Sequence, residues 1–568
     1  MTDSDSMMTK HPTVPRRVIV VGGVAGGMSA ATRLRRLDET ATITVIERSG
    51  HVSYANCGLP YFVGGVIEDE GDLLLQTPQR LFDRFRLEVE VDTEVIAIDA
   101  AAHSVTVRPS GGGAERSLPY DQLILSPGAL PIRPAIEGFD RVRVLRTVED
   151  AERLFSDVEA GPSTAVVVGG GFIGIETAEN LVNAGIPTTI IEAATQLLPP
   201  LDPEMAIVVQ AELEAHGVEV RTGSPVVAIT ATSVILADGS DLPADLVVGS
   251  IGVRPDTRLA QMAGLLLGPN GGIAVSATGL TSDASIYAVG DAVEKVDSVD
   301  GESSLVTLAN VANRQGRRVA DHIAGLPVVA ASSLGTAIVK VFTLTAAMTG
   351  WSEARLLRAG RPYRVVRAHP MSHASYYPGA EPMSIKLLFD PVTGEILGAQ
   401  SVGGAGVDKR IDIIATAMSG KITAPHLADL ELAYAPPFSS AKDPVNMLGY
   451  LAENALRDDR QGVEASEIEA LRIRGWSIID VRTAAEHEQG CIPGSRNIPL
   501  DDLRDHLEEM ANQKVLVYCQ VGQRGHTAAA LLEEHGVDVK NLDGGWLTWQ
   551  AVEAARLQSA GPPLTRAS

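Results

Sequence analysis

The chain has 568 residues, 45% of them hydrophobic, with a formal net charge of −24. That apolar share supports large cores and excludes a disordered chain, and at this length about three to four domains are expected. The acidic balance argues against nucleic acid as a partner, because phosphate recognition needs a basic surface.

Three widely spaced cysteines, Cys57, Cys491 and Cys519, do not make a disulfide framework. A reducing compartment fits them, so a cytoplasmic protein is expected. Residues 1–15 are polar and lack the apolar stretch of a signal peptide. No uninterrupted apolar run reaches the length of about 18 residues that reads as a membrane span.

The first element is a short apolar strand at 18–21, followed by Gly22, Gly23, Val24, Ala25, Gly26 and Gly27 and then a helical stretch. A second strand at 43–46 ends in Glu47, with Arg48 next to it. Strand, glycine turn, helix, strand and acid make up the dinucleotide fingerprint. The helix start takes the pyrophosphate and the acid takes ribose hydroxyls. The spacing departs from G-x-G-x-x-G in one place: Gly22 and Gly27 fit, but Val24 stands in the middle.

Just past this unit comes Ser53-Tyr54-Ala55-Asn56-Cys57-Gly58-Leu59-Pro60-Tyr61. The position five residues beyond Cys57 is Phe62, so no internal disulfide can form there. Residue type alone suggests a buried structural cysteine. A thiol beside a redox cofactor would instead cycle through a mixed disulfide or persulfide with a sulfur from outside the chain.

The fingerprint then recurs with all three glycines, Gly169, Gly171 and Gly174, between strands at 164–168 and 188–191, the second ending in Glu192. Glu192 would accept the 2′-hydroxyl and repel a 2′-phosphate, so NADH is expected over NADPH. Two nucleotide sites in one chain imply two cofactors exchanging electrons. A third segment at 281–291 reads as a strand ending in Gly290-Asp291. Farther on, 339–342 and 384–389 alternate as half-buried strands, 390–394 is a turn, and 411–418 reads as a helix.

Residues 458–462 look like a linker, after which a small α/β unit begins. Its strand at 515–518 leads into Cys519 on a short loop before a helix. Backbone N–H groups of such a loop converge on the sulfur, and Arg524 adds positive charge; both favour anionic sulfur.

This order of motifs resembles the two-dinucleotide-binding flavoproteins, whose FAD domain is split around an inserted NAD(P)H domain. The resemblance implies an α/β fold: an FAD-binding domain at 16–128 and 252–330, an NAD(P)H-binding domain at 129–251, and an α+β dimerisation domain at 335–456. Segments at 120–128 and 251–256 look like the two chain crossings. It also implies that Asp291 binds the FAD ribityl chain, that electrons pass from NADH to FAD to Cys57, and that the protein is a homodimer. Disulfide reductases of this kind often carry Cys-x4-Cys where this chain has only Cys57.

Beyond a linker at 457–464, the pattern of Asp480-Val481-Arg482, Cys519 to Arg524 and Asp543-Gly544-Gly545-Trp546 resembles a single rhodanese domain at 465–555. Cys491 stands where that family often has histidine and reads as structural. The Cys57 stretch itself resembles the coenzyme A-disulfide reductase branch, and the fusion resembles its form linked to NADH-dependent persulfide and polysulfide reduction.

That branch implies coenzyme A contacts at Ser29, Arg33 and Arg36, which share one helix face, and at Ser53, Asn56, Asn313 and Lys442. Asn313 replaces a histidine of a relative. Arginine suits the phosphates because its fork binds oxyanions bidentately. Tyr376 and Tyr434 match tyrosines that reach the partner subunit's cysteine, though Tyr377 is adjacent to Tyr376 and either could point inward. The expected substrates are coenzyme A persulfide, coenzyme A disulfide or polysulfide. The alternatives are an NADH oxidase or peroxidase working through a sulfenic acid, and a sulfur carrier or redox sensor. No metal site, nucleic acid or membrane partner is expected.

Overall fold

The structure is a computed structural model that describes residues 15–457 and 462–559. The polar leader at 1–14 and most of the expected linker lie outside the described residues. The chain divides into two compact units. The first runs to Gly169 and adds Asn180–Thr188 and Val226–Ser333; the second holds Gly170–Glu179, Thr189–Pro225 and the chain from Leu334 onward.

In the first unit the strands Arg17–Val21 and Thr42–Ile46 pair in parallel, as the strand–turn–helix–strand reading requires. Gln122–Leu125 and then Ile286–Ala288 extend the sheet on one side, and Glu88–Glu90 on the other, all parallel. Both faces are covered, which is why these strands read as continuous apolar runs. Val18, Val20, Ile43, Val45 and Ile124 pack against the helices Ala25–Leu37 and Ala309–Ile323. Ile19, Val21, Ile46, Leu123 and Leu125 face the opposite way, toward Val105, Val107 and Tyr120. The two helices touch almost backbone to backbone: a Cβ on Gly316 would lie 2.2 Å from the Gly26 carbonyl oxygen.

Strands Ala165–Val168 and Leu246–Gly249 form a further parallel pair in this unit. Just past the first segment that reads as a chain crossing, Ala129–Pro131 runs antiparallel to Val253–Pro255, which lies within the second.

In the second unit, Thr189–Ile191 pairs in parallel with Glu219–Arg221. A five-stranded antiparallel sheet follows, in the order Ala337–Val341, Leu344–Gly350, Ile396–Gly403, Met383–Phe389 and Arg364–Ala368. The C-terminal part is a five-stranded parallel sheet ordered Gly462–Val463, Asp538–Leu542, Lys514–Tyr518, Ser477–Asp480 and Arg496–Asn497. Its last helix, Gly545–Ser559, reaches the helix Pro203–Ala215: Gln558 donates to the Gln210 side chain at 2.7 Å and to the Thr222 hydroxyl at 2.8 Å. The result is the α/β architecture expected, with the antiparallel sheet between parallel ones in sequence.

Candidate functional site

Cys57 is exposed and sits in the short turn Asn56–Gly58, directly before the helix Leu59–Val63, which Pro60 helps to start. The loop is tied down on both sides. The Ser53 N–H donates to the carbonyl of Gly23 in the fingerprint turn at 2.8 Å, and the Leu75 N–H donates back to the Ser53 carbonyl at 3.1 Å. Ser53 itself takes a left-handed backbone, with φ of 51°, a strained choice for a non-glycine residue. Asn56 places its Oδ1 3.9 Å from the Cys57 sulfur. Phe62, at the position a second cysteine would take, is buried and stacked on Phe155 at 4.9 Å between ring centres.

The first glycine turn is built for close approach. A Cβ on Gly22 would fall 2.1 Å from the Ser126 carbonyl oxygen, and one on Gly27 1.9 Å from that of Gly22. Gly23 donates its N–H to Glu47 Oε2 at 2.8 Å, and Ser49 donates to Glu47 Oε1 at 2.9 Å. Ala25 and Gly26 open a helix whose first N–H groups no side chain caps. A cradle without Cβ atoms, an uncapped helix start and a carboxylate at the strand end fit an FAD dinucleotide. Arg48 pairs instead with Asp256 at 3.4 Å.

Gly290, with φ of 82°, and Asp291 lie at the end of the strand Ile286–Ala288. Sequence reasoning misses two neighbours there. Arg146 comes within 3.6 Å of Asp291. Lys295 is buried and donates to the carbonyls of Gly290 and Val293 at 2.6 and 2.8 Å. Burial pulls its ammonium down to about 8, with Asp291 opposing the shift.

On the first helix, the Ser29 hydroxyl donates to Asn313 Oδ1 at 2.9 Å, so two of the expected substrate contacts meet. Arg33 donates to Asp321 at 2.7 Å, and Arg36 is exposed. Arg35 is buried and donates to four backbone carbonyls, those of Asp38, Glu39, Phe85 and Arg86.

The second glycine turn repeats the first. A Cβ on Gly169 would lie 2.5 Å from the Ser250 carbonyl oxygen. Gly171 has open space around it, and Gly174 lies within the helix Phe172–Asn183. Glu192 accepts from the N–H groups of Gly170 and Ala194, both at 2.8 Å. This carboxylate is therefore fixed at the end of its strand, and the residues fit NAD(P)H.

Tyr376 and Tyr434 meet, their hydroxyls 3.0 Å apart, while Tyr377 packs edge-on against His373. Lys442 is exposed in the same unit. For metals, His51, Glu70 and Glu152 are the one group of described His, Cys, Asp and Glu side chains whose ligand atoms all lie within 4.8 Å of one another. Burial and the neighbouring Glu70 raise the Glu152 carboxyl.

In the C-terminal part, Cys519 is buried at the end of the strand Lys514–Tyr518 and before the helix Gln523–Glu534. Gly522, with φ of 93°, turns the loop. Arg524 donates both terminal nitrogens to Glu486, at 2.6 and 2.8 Å. Those hydrogen bonds raise the guanidinium above its ordinary value, and Cys519 adds to the effect. Glu486 carries no sequence signal for this role, since it arrives from the helix Ala484–Glu488.

Behind the loop, Asp480 accepts from Arg482 at 2.7 Å and from the Tyr518 hydroxyl at 2.8 Å, with His487 at 2.8 Å. The Arg482 guanidinium lies 4.9 Å over the Trp546 ring and reaches Gln520 at 3.2 Å. The loop holding half-buried Cys491 is tied down by Arg482, which donates to the Gly490 carbonyl at 2.6 Å.

Comparison with known proteins agrees with this geometry. Residues 16–316 match the pyridine nucleotide-disulphide oxidoreductases, 336–444 the dimerisation domain of that family, and 464–552 the rhodanese-like domain. Coenzyme A disulfide reductase of Staphylococcus aureus is 34% identical over 440 residues, covering 77% of this chain and 100% of that protein. The reduced CoADR-RHD of Bacillus anthracis superposes with a TM-score of 0.93 at 46% identity, over 95% of this chain and 98% of that one. A NAD-dependent persulfide reductase from A. fulgidus gives 0.89 at 37% identity, over 94% and 100%. The cofactors of the family are FAD and NAD(P)H. The chain is therefore an oxidoreductase that belongs to the pyridine nucleotide-disulphide oxidoreductase family, with that family's dimerisation domain and a rhodanese-like domain following it.

Proposed function

We propose that this chain reduces a sulfur–sulfur bond carried by coenzyme A, as persulfide or disulfide, or that of a polysulfide, through Cys57. One observation carries the reading: Cys57 is exposed on a loop anchored to the fingerprint turn, and the place of a resolving thiol is filled by buried Phe62. The partner sulfur then comes from a small molecule. The Cys57 thiolate attacks the substrate's S–S bond, a mixed disulfide forms, and one thiol or sulfide leaves with a proton. Restoring the thiolate takes an electron pair, which is the chemistry that bound NAD(P)H and FAD supply.

The roles of the chain's own residues follow. Ser29, Arg33, Arg36, Ser53, Asn56, Asn313 and Lys442 hold the coenzyme A moiety, the arginines on its phosphates. Tyr376 and Tyr434 of one subunit protonate the departing thiolate at the partner's active site. Their exposure, 74% and 49% in the single chain, suits a homodimer that covers them. Cys519 accepts sulfane sulfur as a persulfide, with Arg524 beside it. We place the protein in the cytoplasm, where cysteines stay reduced; none of its three is in a disulfide. Among the described residues no helix is long and apolar enough to cross a membrane.

The test is NADH consumption with coenzyme A persulfide, coenzyme A disulfide and polysulfide, for the wild type and Cys57→Ser. The variant should lose turnover on all three. Undiminished turnover refutes the reading, and a wild type that turns over only O2 or peroxide makes it an oxidase or a peroxidase.

A further inference from the structure

Arg367 and Lys386 face each other directly across the ladder of the antiparallel sheet. Both are buried, at 7% and 1% exposure. Like charges opposed in this way repel, so something must lie between them. Glu204, from the first turn of the helix Pro203–Ala215, accepts from Lys386 at 2.7 Å and from Arg367 at 3.3 Å. Lys386 also meets Asp202 at 2.8 Å and Glu353 at 2.6 Å. The outer arm of Arg367 goes the other way, into the rhodanese-like part, where it donates to Asp543 at 2.7 Å and to Glu464 at 3.0 Å. Burial works against the Arg367 charge, yet Asp543, Glu464 and Glu204 together hold it well above its ordinary value.

Asp543 opens the turn that touches the Cys519 loop. The two residues after it, Gly544 and Gly545, both have φ of 63°. A Cβ on Gly545 would lie 2.4 Å from the Cys519 carbonyl oxygen and 2.8 Å from the Gly522 nitrogen, so the two backbones meet with no side chain between them. The next two N–H groups complete the junction: Trp546 donates to the Cys519 carbonyl at 2.7 Å and Leu547 to that of Gln520 at 3.1 Å. Beside it, His369 hydrogen-bonds Thr548 at 2.8 Å and Ser384 at 2.9 Å.

We infer that Arg367 is a positioning residue for the rhodanese-like site, acting through Asp543 on the turn that fixes the backbone of the Cys519 loop. This rests on the reading of Cys519 as the sulfur acceptor. Without Arg367, Asp543 is a buried carboxylate short of its strongest partner, and it must take a proton or swing outward. Either response moves a turn packed backbone on backbone against Cys519. Displacements of about 1 Å at a reacting group cost up to roughly a hundred-fold in rate. A residue of the dimerisation sheet thus sets the geometry of a cysteine in the domain that follows it.

The test uses the full-length, FAD-loaded protein and two readouts. The first is sulfur transfer from thiosulfate to cyanide, beside NADH-linked reduction of coenzyme A disulfide. The second is hydrogen exchange at the Trp546 and Leu547 amides. Arg367→Gln should lower kcat for sulfur transfer roughly ten- to hundred-fold with KM little changed. It should speed exchange at both amides and leave coenzyme A disulfide reduction intact. Arg367→Lys, which keeps the charge and one donor arm, should recover part of the loss. Asp543→Asn, which keeps the shape at that position, should reproduce the effect if Arg367→Gln does not fold. Wild-type exchange at the two amides overturns the inference, as does an equal loss of both activities. If the wild type transfers no sulfur, the Cys519 reading falls, and exchange alone then decides whether Arg367 positions the loop.

Discussion

The phenol oxygens of Tyr376 and Tyr434 lie 3.0 Å apart and share a hydrogen bond. Tyr434 thereby raises the Tyr376 phenol above its ordinary value, so it stays protonated and able to donate across the working pH range. If the pair protonates the leaving thiolate, Tyr376→Phe and Tyr434→Phe should each lower kcat for coenzyme A disulfide reduction by about a hundred-fold, the low end of general acid catalysis. Because the two hydroxyls serve one proton, the double variant should be no slower than the worse single. Tyr377→Phe should match the wild type. Fully additive losses would show that the tyrosines act separately.

Glu192 is held by two backbone N–H groups, of Gly170 and Ala194, each at 2.8 Å. A carboxylate pinned at the strand end cannot swing away from a 2′-phosphate. If Glu192 excludes NADPH by repulsion, Glu192→Ala should raise kcat/KM for NADPH and lower it for NADH. The ratio should shift by roughly ten- to a hundred-fold, which is about 1.4 to 2.7 kcal/mol. Steady-state kinetics with both dinucleotides measure it, and an unchanged ratio would assign the preference to other residues.

What sequence reasoning reaches and what it misses have a common cause. Both fingerprints are legible because a glycine turn between a strand and a helix is a local pattern. Neighbouring atoms leave no room for a Cβ at Gly22 and Gly27 in the first turn or at Gly169 in the second. Cys57 and Cys519 are legible because so few cysteines exist. The groups that finish each site come from distant elements: Arg146 onto Asp291, Glu486 onto Arg524, Arg367 onto Asp543. Lys386 reads as an outward polar residue of an alternating strand, and Arg367 carries no sequence signal at all. They are buried only because carboxylates from other elements surround them, which no local periodicity records. That Tyr376 rather than Tyr377 meets Tyr434 is likewise a contact that only the folded chain supplies.

Glu486 offers a narrower test of the rhodanese-like site. Its hydrogen bonds from Arg524 pull the carboxyl down to about 2 against the opposing effect of burial. A depressed carboxylate stabilises the fold above its ordinary value of 4.5, and that contribution is lost as pH falls toward about 2. The pair is partly exposed, so its worth is modest, about 1 kcal/mol or less. The larger effect should be on chemistry. Glu486→Gln frees Arg524 to wander, and sulfur transfer from thiosulfate should fall at neutral pH while melting temperature barely changes. A variant with full sulfurtransferase activity would mean that Arg524 does not need Glu486 to stay in place.

Glu204 is the wedge between Arg367 and Lys386, so its loss should show in stability. Glu204→Gln removes the charge that separates two buried cations, and breaking a buried pair of this kind costs about 3–5 kcal/mol. The pH dependence has a definite sign. Burial works against its charge, but Lys386 and Arg367 prevail and hold the Glu204 carboxyl at about 2, below its ordinary 4.5. Its stabilisation is therefore complete above about 4.5 and is lost as pH falls through about 2, where the wild-type side chain becomes neutral like the variant's. Asp202, Glu464 and Asp543 run the other way: burial raises each, so each stabilises the fold when protonated and loses that contribution as pH rises through its folded value. Glu464 and Asp543 are common to both proteins and cancel, to first order, in the difference; Asp202 changes as well, because Glu204 is among the charges that raise it. Thermal melts of wild type and Glu204→Gln should therefore show a wide gap at pH 7 that narrows steadily below pH 4.5. A gap that holds constant into acid would mean that Glu204 is not the ionised partner of Lys386 and Arg367.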